Sequence, residues 1–305
     1  MTTLLVGRGL LGRGVEATLD SRGESVHTVS VPWGSHEGAV QALLDAAEGA
    51  AQDTPLWRLA WCAGAGVIGS SPVELDAEVA CFADFIRRLS RPPAAAFIAS
   101  SAGGAYAGSP DEPPYTEAST AAAVSAYGHA KLRIEAAISP MTAMGTRVCI
   151  GRIANIYGPG QNLRKPQGLV SQLCLTHLNR QPLGVYVSLD SLRDYVFVTD
   201  AAEMACECLS RVAAEPPGAV VTKIIASGQS RSVGAIIGES TRAFRRRPLL
   251  TTPIAGTPQI RDLRVRSEVW SDIDRLARTP FLVGLKRTVD DIDRQLREPS
   301  LERNT

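Results

Sequence analysis

Tyr127 and Lys131 stand four residues apart in the segment SAYGHAKLRIEAA, Ser125 to Ala137. On a helix that spacing stacks both side chains on one face, one turn apart. A tyrosine with an ordinary pKa of about 10 is a poor base at neutral pH. An ammonium one turn away favours the phenolate, which tunes the phenol to exchange a proton with a carbinol oxygen. Lysine is scarce here, occurring only at 131, 165, 223 and 286, so its appearance at this spacing carries information. Upstream, FIASS reads as a strand that delivers Ser100 and Ser101 to its carboxyl end. Parallel sheets bind ligands at that edge, and a hydroxyl there can hydrogen-bond the reacting oxygen.

A second constellation lies at the amino terminus. VGRGLLGRG supplies Gly7, Gly9 and Gly12 in a GxGxxG spacing that follows one apolar strand and opens the first helix. The first glycine permits a tight turn, the second lets the backbone approach a pyrophosphate, and the third lets helix and strand pack closely. In this context the loop predicts a dinucleotide site. The acidic residue expected after the second strand, where it would hold the adenosine ribose, is replaced by Ser30, and Arg8 stands inside the loop. A carboxylate lost and a cation gained favour NADP over NAD.

The elements that must position these residues alternate. TTLLVG, SVHTVSV, LWRLAWCAG, AAAFIASS and TRVCIGRIAN read as strands. Between them LLGRGVEATLDSRG, HEGAVQALLDAAEGAAQ, PVELDAEVACFADFIRRLSR and the segment around AAAVSAYGHAKLRIEAAI have helical periodicity. Such alternation implies βαβ units and an α/β fold, a Rossmann-like doubly wound parallel sheet. After about Asn155 the rhythm loosens into Pro/Gly-containing loops: YGPGQNLRKPQG, RQPLG, AEPPGA and TTPIAGTPQ. We therefore expect a dinucleotide-binding domain over 1–160 and a mainly substrate-binding lobe over 161–305, with a late strand near 219–227 rejoining the main sheet.

Composition narrows the rest. The 305 residues carry 32 basic and 31 acidic side chains, a net charge of +1 that draws the chain to neither nucleic acid nor a membrane surface. Six scattered cysteines, mostly in apolar segments, suggest reduced thiols, and the four histidines have no ligand spacing, so no metal is expected. MTTLLVGRGLLG lacks the features of a signal peptide, and no apolar run reaches the length of a spanning helix; a cytoplasmic location is expected. The basic run FRRRP (Phe244 to Pro248) reads as a solvated helix end, and the four tryptophans as packing residues.

Along nearly its whole length the chain resembles the extended short-chain dehydrogenase/reductases, which include nucleotide-sugar epimerases and dehydratases. The resemblance rests on the glycine loop, CAGAG (placed after a fourth strand), IASSAGGAYAG, PPYTEAS leading to YGHAK, GRIANIYGPGQN and LRDYVFVTDAAE, in that order. It implies hydride transfer at a sugar carbon with Tyr127 as acid/base, Lys131 setting its pKa, and a serine orienting the oxygen. Counting four residues back from Tyr106 reaches Ala102, whereas counting from the strand end reaches Ser101. Ser101 is favoured, with Gly103 and Gly104 absorbing one extra residue. Cofactor contacts are expected from Gly7, Arg8, Gly9, Leu10, Leu11, Gly12, Ser30, Cys62, Ala63, Gly64, Ser100, Tyr127 and Lys131. Substrate contacts are expected from Asn155, placed at the end of a sixth strand, and from Arg193, with Arg261 or Arg266 as a second cation on a diphosphate. Because Ala102, Gly103 and Gly104 follow Ser101 where dehydratases carry an acidic pair, 4,6-dehydration is not expected. The implied partner is a nucleotide-sugar and the implied assembly a homodimer, through faces around 121–137 and 79–89. The rival reading is a non-catalytic NAD(P)-binding or sensing protein of the same fold.

Overall fold

The computed structural model describes residues 1–64, 71–163, 168–251 and 260–297. The tail of CAGAG, residues 164–167 of the long loop and most of TTPIAGTPQ lie outside them. In chain order the first half runs β1 (Thr2–Val6), α1 (Leu10–Ser21), β2 (Ser25–Thr28), α2 (His36–Asp53), β3 (Arg58–Trp61), α3 (Pro72–Arg88), β4 (Ala95–Ser101), α4 (Ala102–Tyr106), α5 (Ala126–Ala136), α6 (Ser139–Ala143) and β5 (Arg147–Ile153). The second half adds β6 (Asn155–Tyr157), α7 (Leu169–Asn179), β7 (Leu183–Gly184), β8 (Leu192–Phe197), α8 (Val198–Val212), β9 (Val220–Ile225), β10 (Ser230–Ser232), α9 (Val233–Phe244), β11 (Leu250–Thr251), β12 (Asp262–Leu263) and α10 (Phe281–Arg297).

The expected doubly wound sheet is present. Six parallel strands take the order β2-β1-β3-β4-β5-β9. Because side chains alternate across a strand, Leu4 and Val6 enter one core while Leu5 enters the other. The first core fills the space under α2, α3 and α5, and the second lies beneath α1 and α8. Both faces are covered, which is why the central strands read as continuous apolar runs rather than alternating ones. Edge strand β2 is shorter than SVHTVSV suggested, since half-exposed residues at an edge are not compelled to pair.

Several boundaries differ from the sequence reading. The strand before CAGAG is third in the chain rather than fourth. The strand before Asn155 is fifth rather than sixth and ends at Ile153; Asn155 instead opens β6, which pairs with β8 outside the main sheet. Helix α5 begins only at Ala126, because the Ser125 side chain accepts from the Gly128 N–H and fixes the start there. Of the apolar residues over 79–89, Val79, Phe82, Phe85 and Ile86 are buried in the chain's own core, whereas Ala80 is exposed.

A smaller sheet, β10-β8-β12 with β6 against β8, joins α7, α9 and α10 around a third apolar core that includes Tyr157, Phe197 and Phe281. Helix α8 and strand β9, although late in sequence, pack with the main sheet.

One buried charge cluster ties the sheet to α5. Arg152 on β5 donates from Nε and Nη2 to the Glu135 carboxylate at 3.2 and 2.7 Å, and from Nη1 to the Tyr106 hydroxyl at 2.9 Å. Burial alone would lower the Arg152 pKa, but the bonds and charge of Glu135 hold it above the usual arginine value. Replacing Glu135 with Ala leaves this guanidinium buried without a counter-charge. Urea unfolding of Glu135→Ala is expected to show a loss of about 3–5 kcal/mol, and a loss below 1 kcal/mol (about the value of an exposed pair) would contradict the burial argument.

Candidate active site

The face of α5 turned to the sheet carries Tyr127, Lys131 and Glu135 at successive turns. Ala130 and Ile134 enter the first core from the same side of the helix, so polar and apolar residues share its inward surface. Tyr127 is half-buried and Lys131 is buried, with Nζ 5.8 Å from the centroid of the Tyr127 ring. Lys131 Nζ also donates to Glu78 Oε1 on α3 at 3.2 Å. A Cβ on Gly64 would fall 2.7 Å from that Nζ, so the backbone three residues after β3 runs directly against the ammonium.

Ser100 and Ser101 separate in role. The Ser100 hydroxyl donates to Glu135 Oε1 at 2.5 Å and is thereby committed to the charge cluster. Ser101 caps α4, its Oγ accepting from the Gly104 N–H at 3.0 Å. Its own O–H hydrogen is left to donate elsewhere. Residues 102–106 form a short helix rather than the loop expected there. Ala102 and Tyr106, one turn apart, both point into a buried cluster with Ala105, Tyr115 and Ile224. The two turns bearing Ser101 and Tyr127 meet backbone to backbone, since a Cβ on Gly128 would come 2.4 Å from the Gly104 carbonyl oxygen.

The glycine loop packs on the same edge. Gly7 has φ of +93° and a Cβ there would lie 2.4 Å from Ala63 Cα, while a Cβ on Gly12 would lie 1.8 Å from the Gly7 oxygen. Those two glycines are required by the protein's own backbone. Gly9 is different: among the described residues nothing lies within 4 Å of its Cβ position, yet it caps α1 with no side-chain bond and no acidic residue in the first turn. Its open space and the uncapped N–H groups behind it form a cradle for an anion. Leu10 and Leu11 turn away into the third and second cores. Cys62 donates its N–H to the Val6 oxygen at 2.8 Å, and desolvation pushes its thiol well above the usual range.

Arg8 is exposed and donates from Nε to Glu16 at 3.0 Å, and Ser30 lies exposed two residues past β2. Arg13, which the sequence reading passed over, reaches from α1 to the carbonyl oxygens of Arg8 and Gly160. On the substrate side, Asn155 is exposed and donates from Nδ2 to the Asp194 carbonyl at 2.9 Å. Arg193 is held by carbonyl oxygens of Leu192, Ile260 and Arg261, and burial lowers its pKa. Arg261 is exposed beside it, whereas Arg266 pairs with Glu268. Asp194 and Asp200 accept from Ser227 and Thr279, respectively, and hold loops rather than face the site. The exposed arginines 245–247 follow the end of α9. Trp57 and Trp61 are core residues, but Trp33 is 46% exposed.

These features define a doubly wound α/β protein with an N-terminal glycine loop on the same sheet edge as a Tyr/Lys pair. Residues 4–222 match the NAD dependent epimerase/dehydratase family, and the chain belongs to that family. No curated protein matches the sequence. Among solved structures, UDP-glucose 4-epimerase of Thermus thermophilus, in complex with NAD, is 17% identical with a TM-score of 0.77 over 96% of this chain and 99% of that one. UDP-glucose 4-epimerase of Thermotoga maritima, with UDP-glucose, is 18% identical with a TM-score of 0.79 over 97% and 100%. The NAD-dependent NDP-hexosamine 5,6-dehydratase TunA is 20% identical with a TM-score of 0.73 over 96% and 98%.

The glycine analysis separates folding from binding. Gly12→Ala forces a methyl onto the Gly7 carbonyl and is expected to lower the thermal midpoint by several degrees or abolish folding. Gly9→Ala meets no neighbour and is expected to cost less than about 1 kcal/mol. Equal losses in the two variants, measured by calorimetry, would refute the assignment.

Proposed function

We propose that the protein catalyses NAD(P)-dependent hydride transfer at a carbinol or keto carbon of a nucleotide-linked sugar, as an epimerase or ketoreductase. The observation that carries this reading is the buried Lys131 ammonium 5.8 Å from the Tyr127 ring, against the Gly64 backbone that follows β3. Family membership and the likeness to structures whose titles name UDP-glucose and NAD support it.

A dinucleotide fits the residues present: Gly9 leaves room for a pyrophosphate at the uncapped start of α1, and Lys131 retains N–H donors for ribose hydroxyls. When bound, it supplies the hydride acceptor or donor. Tyr127 takes the carbinol proton during oxidation and returns it during reduction. Ser101 donates its O–H to the reacting oxygen, holding it toward Tyr127. Arg193, whose guanidinium contacts the Arg261 carbonyl, and Arg261 are the cations assigned to the diphosphate, and Asn155, just beyond the end of β5, is assigned to the sugar. With Ala102, Gly103 and Gly104 following Ser101, no carboxylic acid stands there to protonate a leaving hydroxide, so elimination is left out of the proposal. Self-association belongs to the same proposal, through the exposed Ala77, Ala80, Ala126 and Ala136 on the outer faces of α3 and α5.

The choice between epimerase and ketoreductase turns on the cofactor. The missing carboxylate at Ser30 and the exposed Arg8 favour NADP, although Glu16 competes for the same guanidinium. Titration of the purified protein is expected to show NADPH bound more tightly than NADH, with Arg8→Ala removing the difference; tighter NADH binding overturns the Arg8 argument. On a substrate identified by turnover, Tyr127→Phe is expected to lower kcat by about 10²–10⁴-fold with KM little changed. Unchanged turnover would remove Tyr127 from the acid/base role.

A further inference from the structure

Building on that reading of the site, we propose that Glu78 is a positioning residue for Lys131: the buried counter-charge that fixes the ammonium against Gly64 and Tyr127 and keeps this point of the cofactor cleft electrically neutral. Three observations meet at one atom. Lys131 Nζ donates to Glu78 Oε1 at 3.2 Å, and the side chains are only 7% and 10% exposed. The Gly64 Cβ position lies 2.7 Å from Nζ and 3.5 Å from the same carboxylate oxygen, so a side chain at position 64 would displace the pair. The Tyr127 ring lies on a further side of Nζ.

A buried ammonium is costly unless paired, and the pair here spans two helices whose packing sets where Nζ stands. One of its three N–H donors goes to Glu78, which leaves two for hydroxyls of a ligand. The neighbouring Arg152–Glu135 pair cannot serve instead, because Glu135 is already shared between Arg152 and Ser100. With Glu78 in place, Lys131 and its partner together carry no net charge. With the carboxylate neutralised, one unit of positive charge is left facing the nicotinamide end of the cleft. That charge opposes the cationic ring of an oxidised dinucleotide and is indifferent to the neutral ring of a reduced one.

The test is a pair of dissociation constants, for the oxidised and reduced forms of the dinucleotide that the wild-type protein binds more tightly, read by calorimetry and by dihydronicotinamide fluorescence. Glu78→Gln keeps the shape of the side chain and removes its charge. It is expected to weaken the oxidised form about tenfold more than the reduced form, a Coulombic effect of a single charge several ångströms away in a partly solvated cleft. Glu78→Asp keeps the charge but withdraws it by one methylene. It is expected to weaken both forms by a few-fold (about 2–5) while preserving their ratio, and it carries the test should Glu78→Gln fail to fold. Equal effects of Glu78→Gln on the two forms, no effect at all, or a changed ratio in Glu78→Asp overturns the positioning role while leaving the dinucleotide site intact. A wild-type protein that binds neither form overturns the functional reading, and the role of Glu78 with it.

Discussion

Two cationic side chains stand in the protein's interior between α5 and its neighbours, and each must find a counter-charge there. Lys131 meets Glu78 and Arg152 meets Glu135. An unpaired charge so placed would cost several kcal/mol, a large part of a typical domain's stability. The two pairs therefore fix α5 against α3 and β5, and that placement determines where Tyr127 stands. The face that carries Tyr127 and Lys131 is not set apart from the packing of the helix. It is continuous with the contacts that seat the helix.

The glycine loop obeys a constraint of another kind. Gly7 and Gly12 are fixed by backbone atoms less than 3 Å from where their side chains would be, whereas Gly9 meets none among the described residues. Two positions in one motif thus answer to the chain's own backbone, and the third is left open. The same distinction separates Ser100, spent on Glu135, from Ser101, which has a proton left to give.

The fold was largely legible in the sequence because strands covered on both faces and helices with one apolar stripe leave local signatures. So were the glycine loop and the Tyr127/Lys131 pair, whose spacing lies within one turn of structure. What escaped was nonlocal. Glu78 lies 53 residues before Lys131, and nothing around it marks it as a partner of an ammonium. Glu135 was within reach, at one further turn from Lys131, but its partner Arg152 sits 17 residues on, on strand β5. The register of the serine was ambiguous in the sequence because two glycines after Ser101 read as a loop. The structure closes them into a turn of helix that buries Ala102 with Tyr106.

The strand order of the main sheet has a consequence for assembly. Between β5 and its neighbour β9 the chain passes through β6, α7, β7, β8 and α8, and α8 returns to cover the face of α1 before β9 completes the edge. Until those segments arrive, β5 has an unpaired edge and Leu11, Val15 and Leu19 lack their cover. The platform that carries the N-terminal motifs is thus closed by residues encoded far downstream, with the high contact order that slows folding. A nascent chain halted before Ile225 exposes a strand edge and an apolar helix face together, the combination that invites aggregation.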